Sequence, residues 1–407
     1  MEYVKLGDLV DYRKGFAFKS SLYADTGIMV VRVSDFTLDS ISENDAVYID
    51  EDKAYNKHLL QHGDVLIQTV GSWASNPNSI VGKVVRVPKL STKAYLNQNI
   101  VKLVPKESID NTYLFYSLKA NRFSLYCVNR GQGAANQAAI TLDTILKFKF
   151  NVHSPKEQRR IASILSAYDN LIENNNRRIR LLEQMAENLY KEWFVRFRFP
   201  GHEKAEFESG LPKGWKIWSI SKLCDINRKT LNSKNKGLEI EYLDTSSITC
   251  NQIVGTESYV FEEAPSRARR IVKHNSIVFS TVRPNLKHYG ILKNIPDNLI
   301  VSTGFAVFDS KYDIANIIYL FLSSQEVVDY CQLIAEGAVA TYPSIKPEEI
   351  GRLKIALPNI EIAEKWNGKL ESLYSEILNI QKQNTLLTRQ RDLLLPRLMS
   401  GKLEVKV

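Results

Sequence analysis

The segment "LSAYDNLIENNNRRIRLLEQMAENLYKEW" (165–193) carries apolar residues at alternating steps of three and four. This spacing is typical of a helix that buries one narrow stripe against a second helix in a coiled coil. The stripe consists of Leu165, Tyr168, Ile172, Asn175, Ile179, Leu182, Ala186, Leu189 and Trp193. The sequence therefore predicts one long helix here and a partner for it elsewhere in the chain.

A segment with the same spacing lies near the end of the chain. Its stripe follows the first at one constant offset and consists of Leu370, Leu373, Ile377, Ile380, Asn384, Leu387, Arg391, Leu394 and Leu398. Upstream, "AAITLDTILKFKF" (138–150) matches "YPSIKPEEIGRLKI" (342–355) at that same offset. With small changes of offset, "HGDVLIQTVG" (62–71) matches "HNSIVFSTVR" (274–283), and "VKLGDLVDYRK" (4–14) matches "WSISKLCDINR" (218–228). A globular block followed by a long helix is therefore present twice.

This repeat predicts an α+β fold of two tandem mixed α/β domains, with the two long helices paired as an antiparallel coiled coil. Strand-like runs occur at 65–70, 82–87, 99–104 and 148–152, and helical spacing occurs at 111–128 and 314–334. Ser154, Pro155 and Glu157 form a helix-start signature. The Pro- and Gly-containing segment 199–215 reads as the linker between the two copies. The predicted boundaries are a first domain (1–152), a central helix (153–198), a second domain (199–357) and a distal helix with tail (358–407).

The two stripes contain polar interruptions. Asn175 and Asn384 each occupy a position that is otherwise apolar, where a buried Asn costs stability but can fix the register of paired helices. Arg391 breaks the second stripe, and Pro396 is expected to end or kink that helix before Leu398. Pairing over the last turn is therefore not expected.

Composition favours a polyanionic partner. The net charge is +9 and the pI is near 9.1, values that suit nucleic-acid binding and also a merely basic soluble protein. Four scattered cysteines predict reduced thiols in a cytoplasmic protein, and no signal-like segment opens the chain. The longest apolar run, "IIYLFL" (317–322), is too short to span a membrane.

Several segments resemble one protein family closely. They are "SPKEQRRIASILSAYDNLIENNNRRIRLLEQMAENLYKEWFVRFRFPG" (154–201), "LPKGWK" (211–216), "APSRARRIVKHNSIVFSTVRPN" (264–285) and "LLLPRLMSGKLEV" (393–405). Together they are similar to the conserved regions of specificity (S) subunits of Type I restriction–modification systems. The resemblance implies that each domain is a target-recognition domain for one half of a bipartite site in double-stranded DNA. It also implies that the helices act as a ruler and as a platform for two modification subunits, which carry S-adenosylmethionine. Restriction/translocase subunits that use ATP would join them.

Catalytic motifs are missing from the sequence, which agrees with a recognition subunit. The string nearest to a methyltransferase motif, "SNPNS" (75–79), lacks the second proline and the aromatic residue that would grip a flipped base. The chain contains no GxxxxGK[ST] loop for ATP. The pair His58/His62 lacks further ligands and reads as a surface pair, so no metal site or bound cofactor is predicted. Two alternatives remain open: a self-contained DNA methyltransferase or nuclease, and a tandem DNA-binding scaffold without modification partners.

Candidate DNA-binding residues are cations, amides and hydroxyls near strand ends, because arginine and lysine pair with phosphates or guanine and amides match adenine. In the second copy, a dense basic turn (Arg267, Arg269, Arg270) lies beside a strand whose end presents Thr281, Arg283 and Asn285. In the first copy the candidates are Lys14, Lys53, Lys57, Thr69, Ser72 and Trp73, with Gln98 and Asn99 on a following strand. Gly-containing loops add Gln132, Asn136 and Gln137 in the first copy, and Thr341 and Tyr342 in the second. The alternatives are a solvated basic loop, a core role for Trp73, and simple helix-to-strand connections.

Overall fold

The computed structural model describes residues 2–43, 45–73, 79–120, 123–133, 137–232, 235–338 and 343–405. The chain divides into two compact units. The first comprises Met1–Arg177 with Gln381–Val407, and the second comprises Arg178–Ile380. Each unit therefore combines one β-rich domain with one half of each long helix. The boundaries predicted from the sequence instead list the helices as segments separate from the domains.

The first unit contains two layers of sheet beside a layer of helices. Its elements are β1 (Glu2–Lys5), α1 (Leu6–Leu9), β2 (Val10–Lys14), β3 (Ile28–Val31), β4 (Val47–Ile49), β5 (Val65–Gln68), β6 (Val70–Gly71), β7 (Val84–Arg86), β8 (Ala94–Leu96), β9 (Ile100–Pro105), α2 (Asn111–Ala120), α3 (Phe123–Arg130), β10 (Ala138–Ala139), α4 (Leu142–Leu146), β11 (Lys149–Val152) and the start of α5 (Pro155–Tyr190). An antiparallel sheet has the order β2-β9-β5-β7, and a smaller mixed sheet has the order β4-β3-β8 with β3 parallel to β8. The pairs β1–β11 and β6–β10 complete the domain.

Strand β5 shows why these layers form. All four of its residues are buried, and successive side chains point to opposite faces of the sheet. Val65 and Ile67 pack with α2 residues such as Tyr113, whereas Leu66 packs with Met29 of the smaller sheet. A continuous apolar run therefore becomes a central strand that is covered on both faces.

The second unit repeats this plan. Its elements are β12 (Phe207–Glu208), β13 (Leu211–Pro212), β14 (Lys216–Ser219), α6 (Ile220–Leu223), β15 (Cys224–Ile226), β16 (Glu239–Leu243), β17 (Ile248–Thr249), β18 (Gln252–Ile253), β19 (Glu257–Val260), β20 (Ala268–Ile271), β21 (Ser276–Ser280), β22 (Tyr289–Leu292), β23 (Leu299–Ser302), β24 (Phe305–Ser310), α7 (Ala315–Leu322), α8 (Gln325–Ala338), α9 (Pro347–Gly351), β25 (Lys354–Leu357) and the start of α10 (Ile360–Met399). Its two main sheets have four strands each, in the orders β15-β24-β21-β22 and β19-β16-β23-β20. Strand β16 runs parallel to β23, as β3 does to β8. The repeated fold predicted from the sequence is confirmed.

Helices occupy both stretches before the Gly-containing loops. The described residues of 111–128 lie in α2 and α3, as their helical spacing predicts. The prediction of one helix over 314–334 is wrong, since Ser323 ends α7 and α8 begins at Gln325. Helix α7 is buried along nearly its whole length, whereas α8 is amphipathic. A change of direction between the two helices lets α7 lie inside the core and α8 lie at its surface.

The long helices α5 and α10 pair antiparallel, and the start of α5 is fixed by its predicted cap. The Glu157 carboxylate accepts hydrogen bonds from the Ser154 backbone N–H at 3.0 Å and from its hydroxyl at 2.7 Å. In the first unit Asp169 contacts Arg391 and Asn175 contacts Asn384. In the second unit Arg178 contacts Glu376. Partner numbers fall as α5 advances, which is the signature of antiparallel pairing.

Helix α10 continues past Pro396 to Met399, so the expectation that proline ends it is wrong. A proline inside a helix costs about 3 kcal/mol. Leu395, Leu398 and Met399 are buried in the core of the first unit, and each buried apolar side chain contributes about 1.5–3 kcal/mol. Packing of the last turn therefore offsets the missing hydrogen bond. No helix in the described part of the chain is long and apolar enough to cross a membrane.

Candidate nucleic-acid interface

One end of the larger sheet in the first unit gathers most of the first-copy candidates. Here the Thr69 backbone N–H and its hydroxyl both donate to the Asn99 carbonyl, each at 2.9 Å. The Ile140 N–H donates to the Thr69 carbonyl at 2.9 Å, and Gly15 donates to Ile100 at 3.2 Å. We call this surface edge 1; it comprises 14–16, 69–72, 97–99, 132–133 and 137–140.

A basic 3-10 turn, Lys53–His58, lies against edge 1. The His58 Nδ1 is 3.1 Å from the Lys14 carbonyl oxygen, and the ring of Phe16 packs against those of Tyr55 and His58 at 5.0 and 5.6 Å. Burial lowers the pKa of His58, which favours its neutral form. The side chains exposed on edge 1 and this turn are Lys14, Lys53, Lys57, Gln98, Gln132 and Gln137. The surface thus presents cations and amides together.

Ser72 and Trp73, two other first-copy candidates, pack half-buried against the protein. The Ser72 hydroxyl is 2.9 Å from that of Ser79, and Trp73 packs half-buried against the core. Gln98 and Asn99 lie in the turn before β9, not on a strand as predicted. Gly133 has a φ of +156°, and a Cβ there would lie 2.0 Å from the Gln137 carbonyl oxygen, so only glycine closes this loop.

The second unit repeats the same arrangement at the corresponding end of its sheet. Thr281 donates its backbone N–H and its hydroxyl to the Gly304 carbonyl, each at 2.9 Å, and Ile345 donates to the Thr281 carbonyl at 2.8 Å. Thr303 donates to the Arg267 carbonyl at 2.8 Å, which places that turn beside the sheet end. We call this surface edge 2; it comprises 267, 281–285, 303–304 and 343–345.

Edge 2 is richer in arginine than edge 1. Arg283 is exposed and adopts a left-handed backbone with φ of +47°, and its N–H donates to the Pro343 carbonyl at 3.0 Å. Asn285 is also exposed, and its N–H is held by the Gln332 side chain of α8 at 3.1 Å. The backbone at both residues is thus fixed by contacts, while their side chains face solvent.

The predicted turn of three arginines is not one patch. Only Arg267 lies on an exposed turn; Arg269 and Arg270 belong to β20, whose register against β23 shifts between Ala268 and Arg270. The guanidinium of Arg269 lies 4.5 Å from the centre of the Phe261 ring. The Nε of Arg270 is buried without a hydrogen-bond partner, and burial lowers the pKa of this side chain.

Three candidates, Asn136, Thr341 and Tyr342, lie outside the described residues, as does most of the 75–79 segment. Gly337 lies in α8 with open space around it. His62 is exposed, and His58 contacts the Lys14 carbonyl instead of pairing with His62. Across the described ranges, no three His, Cys, Asp or Glu side chains are grouped so as to hold a metal ion.

The helix seam contains every predicted pairing residue in a buried or half-buried position. These are Leu165, Tyr168, Ile172, Asn175, Ile179, Leu182, Leu189, Leu370, Leu373, Ile377, Ile380, Asn384, Leu387 and Leu394. Sequence reasoning missed the role of Arg391, which is buried and paired with Asp169 and Asp39. The only signal for it in the sequence was its position in an apolar stripe.

Two copies of one β-rich domain, each with cations and amides at the same sheet end and each built onto a long helix pair, define a tandem nucleic-acid-recognition protein. The family model described as "Type I restriction modification DNA specificity domain" matches residues 1–184 and 212–388. The chain belongs to this family. It is a specificity subunit, the non-catalytic DNA-recognition component of a Type I restriction–modification complex, and its two specificity domains fit a bipartite target.

Curated relatives and a solved structure agree with this assignment. The MjaIX specificity subunit of Methanocaldococcus jannaschii is 26% identical over 76% of this chain and 73% of its own length. The MjaVIII specificity subunit of the same organism is 26% identical over 100% of this chain and 93% of its own. The crystal structure of the Type I S subunit from M. genitalium covers 98% of this chain and 95% of its own, with 16% identity and a TM-score of 0.54, and so shares the fold.

Proposed function

We propose that each domain reads one half of a bipartite DNA site through its own edge. The observation that carries this proposal is the repeated threonine clamp, in which Thr69 and Thr281 each give two hydrogen bonds to one carbonyl at the same sheet end. The clamp fixes the backbone from which the exposed polar side chains project. Preset side-chain positions are what specific recognition of base edges requires.

The two edges differ in chemistry, so the half-sites should differ too. Edge 1 exposes Gln98, Gln132 and Gln137, and amides match the N6 and N7 groups of adenine. Edge 2 exposes Arg267 and Arg283, and the arginine fork matches O6 and N7 of guanine. We expect adenine contacts in the first half-site and guanine contacts in the second. The lysines Lys14, Lys53 and Lys57 would neutralise phosphates.

The helix pair would carry the partners. In the first unit Leu171, Leu386 and Leu393 are exposed by 53%, 58% and 59%. In the second unit Leu181, Met185 and Ile362 are exposed in the same way, by 54%, 51% and 44%. One apolar set per unit suits one modification subunit per unit. Those subunits would bring S-adenosylmethionine, and restriction/translocase subunits would bring ATP. We place this assembly in the cytoplasm with the DNA that it acts on.

A tandem DNA-binding protein that lacks modification partners is the second candidate. Co-purification from the host separates the two possibilities. The substitutions Leu386→Glu and Leu393→Glu should release a modification subunit while DNA binding by the chain persists. Recovery of the chain without any methyltransferase, in the native protein as in the variant, would favour the scaffold.

Exchange of residues 1–152 for those of another family member tests the division of labour. Methylome sequencing should show a change in one half of the methylated sequence and none in the other. A change in both halves, or in neither, would contradict one reading edge per domain.

A further inference from the structure

Arg391 occupies a seam position where an apolar side chain is expected. Its counterpart in the first stripe is Ala186, and both residues are buried. A guanidinium removed from water must be paired, because an unpaired buried charge is strongly unfavourable. The partners of Arg391 therefore show what the position does.

Two of those partners belong to other elements of the first unit. One terminal nitrogen of Arg391 lies 2.6 Å from Asp169 Oδ1 on α5. The other lies 2.6 Å from Asp39 Oδ2, in the domain loop between β3 and β4. A single side chain thus connects α10 with the second long helix and with the β-rich domain.

Helix α2 of the domain closes the cluster. Lys119 forms an ion pair with Asp39, and the Tyr116 hydroxyl donates to Asp169 Oδ2. Burial alone would raise the pKa of Asp39, but Lys119 and Arg391 lower it, so the carboxylate is charged. Asp392, next to Arg391 on α10, also lies 2.8 Å from the guanidinium, so the charged site joins four elements.

Apolar packing and a buried ion cluster constrain a domain differently. Apolar surfaces are non-directional, so a domain held only by them can slide or tilt. A guanidinium whose two terminal nitrogens are bonded to carboxylates of separate elements accepts one geometry. A buried ion pair commonly adds little net stability, whereas its geometry can select one arrangement.

The second unit ties its domain to α10 with other groups. Lys293 Nζ lies 2.6 Å from Glu371 Oε2, and Asn316 Nδ2 donates to the same oxygen at 2.8 Å. We call each set of polar contacts that ties a domain to the long helices a lock. The locks of the two domains consist of different residues, so one can be altered without the other.

We propose that Arg391 is a positioning residue that fixes the orientation of edge 1 on the helix pair and thereby sets the half-site spacing that the protein accepts. This inference rests on the proposed bipartite function. The Asp39–Lys119 pair is the domain side of the lock, and the Asp169–Tyr116 pair is the helix side. Loosening the lock should widen the range of accepted spacings without changing the bases read.

The test uses the full chain with its modification subunits and duplexes that carry the methylated site with its natural spacer or with one base pair more or less. The double variant Asp39→Asn/Lys119→Met removes the domain side without a change in net charge. A second variant, Arg391→Met/Asp169→Asn, does the same on the helix side. Each should reduce the preference for the natural spacer by about fivefold or more. Preferences at both half-sites should be retained.

Arg178→Met is the matched control, because the Arg178–Glu376 pair also crosses between the helices but is about half exposed. It should leave the spacer preference unchanged. Weaker binding or a lower melting temperature with an unaltered spacer preference in both double variants would overturn the positioning role. If the native protein itself showed no spacer preference, the bipartite function would fail, and this inference with it.

Discussion

Asn175 donates a hydrogen bond of 2.9 Å from its Nδ2 to the Oδ1 of Asn384, across the seam between α5 and α10. The Nδ2 of Asn384 in turn donates to the Oδ1 of Asn176 at 2.8 Å. Asn175 is 6% exposed, so its amide depends on this partner. An amide pair inside an apolar stripe is satisfied in only one register, which is how such a pair aligns two helices.

Replacement of one asparagine should lower the free energy of unfolding more than replacement of both. Asn384→Leu leaves the buried amide of Asn175 unpaired and should lower the free energy of unfolding by about 1–3 kcal/mol. The double variant Asn175→Leu/Asn384→Leu replaces both polar groups by apolar ones and should be near neutral or more stable. Denaturant unfolding of both single variants and the double variant measures the coupling. Additive losses would show that the pair does not couple the helices.

Arginine substitutions should separate DNA contact from structural support. Arg267→Ala/Arg283→Ala should weaken DNA binding and reduce the slope of log K against log salt by about 0.9 for each phosphate that is no longer neutralised. Arg269→Ala is the matched control, because its guanidinium stacks on Phe261 and should affect stability by about 0.5–1 kcal/mol. Binding titrations at several salt concentrations measure the slopes. Equal slopes for the native protein and the double variant would show that the arginines of edge 2 are solvated and do not contact DNA phosphates.

Stability should fall as pH rises because of Glu183. Burial, and then repulsion from Glu187, raises the pKa of Glu183 from 4.5 to about 7. Below pH 4.5 this group is protonated in both the folded and the unfolded states. Between pH 4.5 and 7 the folded state retains a proton that the unfolded state has released, so the stabilisation by Glu183 is lost as pH rises. Glu183→Gln should raise the melting temperature by about 2–4 °C at pH 8 and hardly at all at pH 4.5. A gain of equal size at both pH values would exclude this titration.

The long helices should act as a ruler. A helix of about 40 residues is about 60 Å long, which is enough to separate two reading surfaces by one DNA turn of about 34 Å. Four residues inserted in both helices, after Arg177 and after Ile380, add about 6 Å to each and leave the stripes nearly in phase. The methylated site should keep both half-sequences and gain about one or two unread base pairs. Four residues inserted after Gly210, where open space surrounds the backbone, serve as the control. An unchanged spacer in the helix variant would contradict the ruler.

Local periodicity predicted the parts of the fold that depend on neighbours in the chain. The 3-4 stripe and the helix start at Ser154–Glu157 are readable because each depends on residues within one or two turns. Thr69 and Thr281 were predicted to contact DNA, and in the structure their hydroxyls donate to the carbonyls of Asn99 and Gly304.

Features that depend on distant residues were not predictable in the same way. Arg391 looked like a flaw in a stripe because its partner Asp169 is 222 positions away in the chain. Arg269 and Arg270 looked like part of a turn because their strand is defined by pairing with β23. Pro396 looked like a helix end because the burial that compensates it comes from the core of the first domain. Each error arose where tertiary contact outweighed a local preference.

The first unit is completed by residues that the ribosome adds only after the whole of the second unit. Leu395, Leu398 and Met399 pack in the same core as Leu6 and Leu9, whereas the second unit is one uninterrupted stretch, Arg178–Ile380. During synthesis the second unit can therefore close while the first still has apolar surface open to solvent. The core residues that are synthesised first can be fully buried only after residues 395–399 have been added. A nascent chain that pauses before residue 395 therefore has an incomplete first domain, which chaperones should recognise.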